Sequence, residues 1–316
     1  MLTRRFLLSF ATAAALALPA AAQDRLSVVA TTGMIADAAR QVGGERVDVT
    51  ALMGPGVDPH AYRQTRSDIV TTAQADLVFW NGLYLEAQLE PFLLELAAER
   101  AVVAVAEAIP SSQLIGSEDY EGRFDPHVWM NPNLWSRVVL ATRDAMIAAD
   151  PDNAETYTAN AATHLEELAA LAVYSQTVLA SIPAEARVLV TAHDAFTYFG
   201  AAYGFEVMGI QGISTESEAG LNRISELVDT LVTRNIGAVF VETSVSDRNI
   251  RALIEGAAAQ GHTVSIGGEL FSDAMGAPGT YEGTYLGMID HNVTTIARAL
   301  GGQAPERGRI DELALN

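Results

Sequence analysis

Residues 151–183 read PDNAETYTANAATHLEELAALAVYSQTVLASIP, and no other stretch limits what this chain can fold into as strongly. Between Pro151 and Pro183 there is neither glycine nor proline, so nothing interrupts a helix there. About thirty residues at ~1.5 Å rise per residue make a rod of ~45 Å. Leu165, Leu168, Val173 and Leu179 are expected to mark its buried face, although the many alanines blur the pattern. A rod of that length is a stiff connector. The parts it joins are expected to rock little, unlike lobes hinged on flexible strands.

On either side the pattern is the same. Short apolar, β-branched runs alternate with helical stretches, as buried parallel strands and their crossover helices do. Before the connector the strands are LSVVA (26–30), VDVTAL (47–52), ADLVFWNG (75–82) and AVVAVAEA (101–108), with helices near 34–42, 65–74, 85–99 and 134–149. After it come RVLVTAH (187–193), FEVMGI (205–210), IGAVFVET (236–243) and HTVSIGG (262–268), with helices near 195–203, 217–234, 246–260 and 281–300. The expected fold is α/β, with two four-stranded parallel-sheet lobes at 23–150 and 184–316 joined by one long rigid helix at 151–183.

The chain opens MLTRRFLLSFATAAALALPAAAQ. Two arginines, an apolar run from Phe6 to about Leu18 and Ala20-Ala21-Ala22 before Gln23 give the layout of a signal peptide over 1–22, and the run is too short to span a bilayer comfortably. Thr3-Arg4-Arg5-Phe6-Leu7 also resembles a twin-arginine export signal, so the general secretory and twin-arginine routes both stay open. Cleavage removes Arg4, Arg5 and no acid, which takes the formal charge from −20 to −22 and leaves 294 residues, enough for two lobes with cores. Such acidity argues against nucleic acid and anionic lipid as partners. There is no cysteine, which excludes disulfides, thiolate metal sites and a lipid-bearing cysteine after the signal. All nineteen basic residues are arginine, which excludes Schiff-base and P-loop lysines. A free, monomeric protein of a Gram-negative periplasm is the expectation.

Asp-Pro-His occurs twice, in GPGVDPHAY and RFDPHVWMNP. Proline fixes its own φ and restricts the residue before it, so His60 and His127 both sit in pre-ordered turns and lose less entropy on binding a ligand. Asp58 and Asp125 either orient these histidines or cap the turns. His60 and His127 follow strands and His193 ends one. In parallel α/β sheets ligands bind outside the carboxyl ends of strands. Three histidines at that edge point to a divalent metal ion in the interlobe cleft. His164 in the connector, His262 after Gly261 and His291 in the last helix are expected to face solvent or pack at the surface. A closed site needs a fourth ligand. Asp273, after the last strand in GGELFSDAMG, is the candidate, with Glu242 in FVETS as main competitor and Glu269 as a weaker one. Trp80, Tyr84, Trp129 and Phe196 lie in the same loops and are expected to shield the site.

The segments GPGVDPHAYRQTRSDI, ADLVFWNGLYLE, DPHVWMNPNLW, VTAHDAFTYFG, IQGISTESEAG and LFSDAMG make nearly the whole mature chain resemble the cluster A-I solute-binding proteins of zinc/manganese ABC transporters. The resemblance implies two α/β lobes on one backbone helix, a metal ion held between them as transported cargo, and delivery to a membrane permease. By resemblance His60, His127, His193 and Asp273 match the four ligand positions, which favours Asp273 over Glu242. Members with glutamate at the third position resemble manganese binders, whereas this chain has His193. Imidazole suits zinc, oxygen-rich sets suit manganese, and affinity follows Zn²⁺ over Mn²⁺. Zinc is therefore expected. Many zinc-dedicated members carry a long His- and acid-rich loop between the first two ligands. Here 109–124 (IPSSQLIGSEDYEGRF) is short and has no histidine, which keeps manganese or mixed Mn/Zn binding as the alternative.

A zinc hydrolase would use three histidines and a water, with Asp273 or Glu242 as general base. The chain has no HExxH and no G-x-S-x-G motif, and Asp273 on the metal leaves no open position, so it is read as a non-enzyme. An adhesin or a binder of an organic ligand would not need three edge histidines.

Overall fold

The first half builds β1 (Leu26–Ala30), α1 (Gly33–Gly43), β2 (Val47–Ala51), α2 (Arg66–Gln74), β3 (Leu77–Trp80), α3 (Glu90–Leu96), β4 (Ala101–Ala104) and α4 (Pro132–Ala149). The computed structural model describes residues 25–117 and 120–310, so the signal-peptide reading of 1–22 lies outside the described residues. The four strands are parallel in the order β2-β1-β3-β4. Local chemistry sets the helix starts: Thr32 caps α1 through the Ile35 N–H, and Thr65 and Asp68 close a reciprocal capping box on α2.

Two elements are shorter than their apolar runs suggest. β4 stops at Ala104, opposite Trp80, the last residue of its only strand neighbour, and the unpaired chain curls into a 3₁₀ turn over Val105–Ala108. The expected helix at 85–99 becomes α3 only from Glu90, because Gly82, Leu83 and Tyr84 all adopt positive φ and turn the chain first.

The connector is α5 (Ala154–Ala180), 27 residues preceded by a 3₁₀ turn at Pro151–Asn153. Its buried face runs through Tyr157, Ala161, His164, Leu168, Leu171, Ser175 and Val178, alternating steps of three and four. Val173 does not belong to that face; it is 69% exposed. His164, expected at the surface, is buried, with Nδ1 3.1 Å from Glu167 Oε2. With alanine on every side of the helix, tyrosine, histidine and serine mark the inner face as much as leucine does.

The second half builds β5 (Val188–His193), α6 (Thr197–Tyr203), β6 (Glu206–Gln211), α7 (Leu221–Thr233), β7 (Ala238–Glu242), α8 (Arg248–Ala259), β8 (Ser265–Leu270) and α9 (Tyr285–Ala299). Its strands form two parallel ladders, β5-β6 and β7-β8, with β5 lying beside β7. At the carboxyl end of β5 the His193 N–H goes to the Glu242 carboxylate, not to a backbone carbonyl of β7. The strand order is thus the same in both halves, but the expected four-stranded sheet of the second half is split into two ladders.

The largest of three apolar clusters among the described residues runs through both halves, and a smaller one lies within each. The largest joins Met34, Phe79 and Trp129 of the first half to Leu168 of α5 and to Phe196, Phe240 and Ile296 of the second. Buried hydrogen bonds tie the same seam. Tyr285 Oη donates to Trp129 O at 2.7 Å, Trp129 Nε1 to Ser272 O at 2.7 Å, and Tyr198 Oη to Asp125 O at 2.9 Å. A large apolar interface of this kind opposes relative motion of the lobes. Among the described residues no helix is long and apolar enough to cross a membrane.

Candidate metal centre

Each Asp-Pro-His triplet folds the same way. Asp58 Oδ1 accepts the His60 N–H at 2.9 Å, and Asp125 Oδ1 accepts the His127 N–H at 2.9 Å. These are Asx turns, in which a carboxylate replaces a backbone carbonyl two residues ahead of the N–H. Asp125 does more, because the same oxygen lies 2.8 Å from His127 Nδ1. The aspartates therefore both shape the turn and, at His127, aim the ring.

The triplets follow the carboxyl ends of β2 and β4; His193 ends β5, and Asp273 lies beyond β8. The structure brings His60, His127, His193 and Asp273 together: one donor atom from each lies within 4.8 Å of every other. His60 Nε2 is 3.2 Å from His127 Nε2. Asp273 carboxylate oxygens lie 3.1 Å from His193 Nε2, 3.5 Å from His127 Nε2 and 3.9 Å from His60 Nε2. Donors held about 2.1 Å from a tetrahedral zinc stand about 3.4 Å apart. These four separations, 3.1 to 3.9 Å, bracket that spacing.

Burial sharpens the point. All four residues are 3% exposed or less. His193 Nε2 and both Asp273 oxygens are buried with no hydrogen-bond partner among the described residues; the His193–Asp273 contact is ionic without hydrogen-bond alignment. Buried polar atoms left bare cost free energy, and a shared cation satisfies all of them at once.

Glu242 is not in the cluster. It lies behind His193, taking the backbone N–H on Oε1 at 2.9 Å and facing ring Nδ1 with Oε2 at 2.5 Å. A carboxylate that fixes Nδ1–H leaves Nε2 as a bare lone pair toward the ion. Glu269 is exposed on β8 and stays outside the cluster. Of the other histidines, His262 meets Ile236 O at 2.8 Å and His291 meets Glu269 O at 2.9 Å, both far from the four donors in role. Trp129 packs edge-on against His127, with ring centres 5.2 Å apart, and shields that side.

Charge is distributed unevenly. Burial holds the His60 imidazole down to about 3, so it is neutral at ordinary pH. Burial also opposes charge on His193, but the Asp273 and Glu242 carboxylates outweigh it and raise this imidazole well above its usual value. Asp273, which burial alone would push up, is held below the carboxylate range by His193 and the two other histidines. Without an ion, His193 and Asp273 face each other as an imidazolium–carboxylate pair beside the neutral His60 ring.

Two α/β lobes sharing one helix, with a buried three-histidine, one-aspartate set in their seam, define the class of two-lobed binding proteins whose cargo is a metal ion. The sequence profile of the periplasmic zinc-uptake complex component A family, ZnuA, matches residues 28–299, and the chain belongs to that family. It is 50% identical over 280 residues to the manganese-binding lipoprotein MntA of Bacillus subtilis, covering 88% of this chain and 91% of that protein. It is 47% identical over 281 residues to the zinc-binding protein TroA of Treponema pallidum, covering 89% and 91%. The solved structure of the periplasmic zinc-binding protein TroA from that organism superposes with a TM-score of 0.86 at 46% identity, covering 88% of this chain and 99% of the other.

Sequence reasoning singled out all four clustered residues but missed Thr215, whose Oγ1 donates to Asp58 Oδ2 at 2.5 Å across the lobes. No local signal could reveal a contact between residues 157 positions apart.

Proposed function

We propose that this chain is the solute-binding component of an ABC importer, capturing a divalent transition-metal ion in the periplasm and handing it to a membrane permease. His60, His127, His193 and Asp273 are the ligands in this reading, and zinc is the favoured cargo. The observation that carries it is the convergence of three imidazoles and a carboxylate, with bare buried donor atoms, in a chain of this family. Three nitrogen donors and one oxygen suit zinc better than manganese. The likeness to MntA favours manganese or mixed binding as the second reading.

Export by a cleaved signal over 1–22, a monomeric mature protein, and lobes divided at 23–150, 151–183 and 184–316 belong to the same proposal. No hydrolytic role is included, because a coordinated Asp273 fills the position a catalytic water would need. Metal analysis of protein from its native periplasm, followed by Zn/Mn competition with the wild type and His60→Ala, tests the reading. Stoichiometric zinc that is lost in His60→Ala supports it; protein that takes up neither ion contradicts it.

A further inference from the structure

An ion cannot reach donors that are 3% exposed or less unless a covering segment moves. The recess directly over His60 is lined from the first lobe by residues such as Leu83, Tyr84 and Phe124, and from the second lobe by Ile213 and Ser214. Those two belong to the loop between β6 and α7, residues 212–220, sequence GISTESEAG.

This loop crosses the cleft as a strap whose far end is held to its own lobe, where Ala219 packs on the second-lobe core. Seven of its nine residues line a cleft of about 950 Å³. The two that do not, Thr215 and Glu216, hydrogen-bond to the first lobe. Thr215 Oγ1 donates to Asp58 Oδ2 at 2.5 Å, and Glu216 Oε1 accepts from Gln88 Nε2 at 2.6 Å. Its root is fixed by Gln211, whose Nε2 donates to Thr215 O at 3.3 Å and Ser217 O at 3.1 Å. The tip is therefore latched across the cleft while the span beneath it has room to move.

The latch meets the metal centre at one residue. Asp58 holds the His60 N–H with Oδ1 and receives Thr215 with Oδ2, so one carboxylate joins the strap to the turn that carries His60. We infer that residues 212–220 are the gate of the metal site and that Thr215, through Asp58, sets how fast an ion enters and leaves. Thr215 is a positioning residue that does not touch the ion. This inference rests on the metal-binding reading and adds its kinetics. Weakening the latch lowers the barrier in both directions, whereas losing a ligand lowers affinity.

The test uses the full mature protein loaded with Zn²⁺ alone. Dissociation into excess chelator and association are followed by stopped-flow, with the fluorescence of Trp129, which touches His127, as reporter. Thr215→Val, which keeps the shape and removes the hydroxyl, should raise both rate constants roughly 3- to 10-fold, as expected for one charge-assisted hydrogen bond, and leave Kd within about threefold. Thr215→Ser should restore wild-type rates. Gln88→Ala, at the exposed end of the latch, should show the same pattern at smaller amplitude and keeps the inference testable should Thr215→Val fold poorly. Unchanged rates in these variants overturn the gate, as does a loss of affinity as large as the rise in dissociation rate. A wild-type protein that binds no zinc would instead sink the metal-binding reading itself.

Discussion

Glu242 grips His193 at two points, its backbone N–H and its ring Nδ1, from the end of the neighbouring strand. Asp125 grips His127 in the same two ways from within the same turn. Two of the proposed ligands, in different lobes, are thus aimed by one device, a carboxylate held on Nδ1 that leaves Nε2 turned toward the cluster.

Glu242→Gln should leave the fold intact and weaken zinc binding by roughly 10- to 100-fold, the range for loss of a carboxylate behind a ligating histidine. The amide presents an N–H where His193 needs an acceptor, so the ring carries its proton on the wrong nitrogen. A competition titration against a chromophoric chelator measures this. An unchanged Kd would mean that the ring orients itself by packing alone.

Zinc binding should release the His193 proton near neutral pH. The sign follows from the electrostatics. His60 is already neutral, so it has no proton to lose. His193 is raised and therefore protonated without the ion, so the metal displaces that proton. Affinity should then rise by up to about tenfold per pH unit below the His193 value and flatten above it. Calorimetry in buffers of different ionisation enthalpy counts the protons; a count of zero would place the charge elsewhere.

Glu86 should make the metal-free fold lose stability between about pH 4.5 and pH 7, against the opposite slope that His60, held down to about 3, contributes below its unfolded value of 6.5. Burial raises the Glu86 carboxyl from 4.5 to about 7, against hydrogen bonds from Thr31 Oγ1 and the Asn81 and Gly82 N–H groups. A raised folded value means that the contribution is complete below the unfolded value and is lost as pH rises through the folded one. The shift corresponds to roughly 3 kcal/mol. His193 acts in the same direction. Thermal melts of chelated wild type and Glu86→Gln across this range isolate the Glu86 contribution as their difference. A stability difference between wild type and Glu86→Gln that does not fall as pH rises through this range would refute the assignment.

Tyr285→Phe should destabilise the protein by about 1–3 kcal/mol, because Trp129 O would be left buried without its donor. Denaturant unfolding reads the loss directly, and zinc affinity should change much less than stability does. Equal losses in both would mean that the seam and the metal centre are one cooperative unit.

Much of this was legible in the sequence for identifiable reasons. The strands announced themselves as short β-branched runs, and His60, His127 and His193 stood out because each falls at a strand's carboxyl end, where a parallel sheet gathers its ligands. Asp273 rested on the family resemblance, since Glu242 occupies an equally plausible edge and only geometry separates a ligand from the carboxylate that aims one. Val173 and His164 went the other way because an alanine-rich helix offers little contrast between its faces. The left-handed turn at 82–84 has only one glycine to signal it. The latch from Thr215 to Asp58 is a product of the fold and has no local trace.

The convergence of four side chains on one ion is best tested by anomalous diffraction from crystals of the zinc-loaded mature protein. The expected map has a single zinc peak in the seam, about 2.0–2.2 Å from nitrogens of His60, His127 and His193 and from an oxygen of Asp273. A peak bound elsewhere, or one that leaves any of these four side chains uncoordinated, would contradict it.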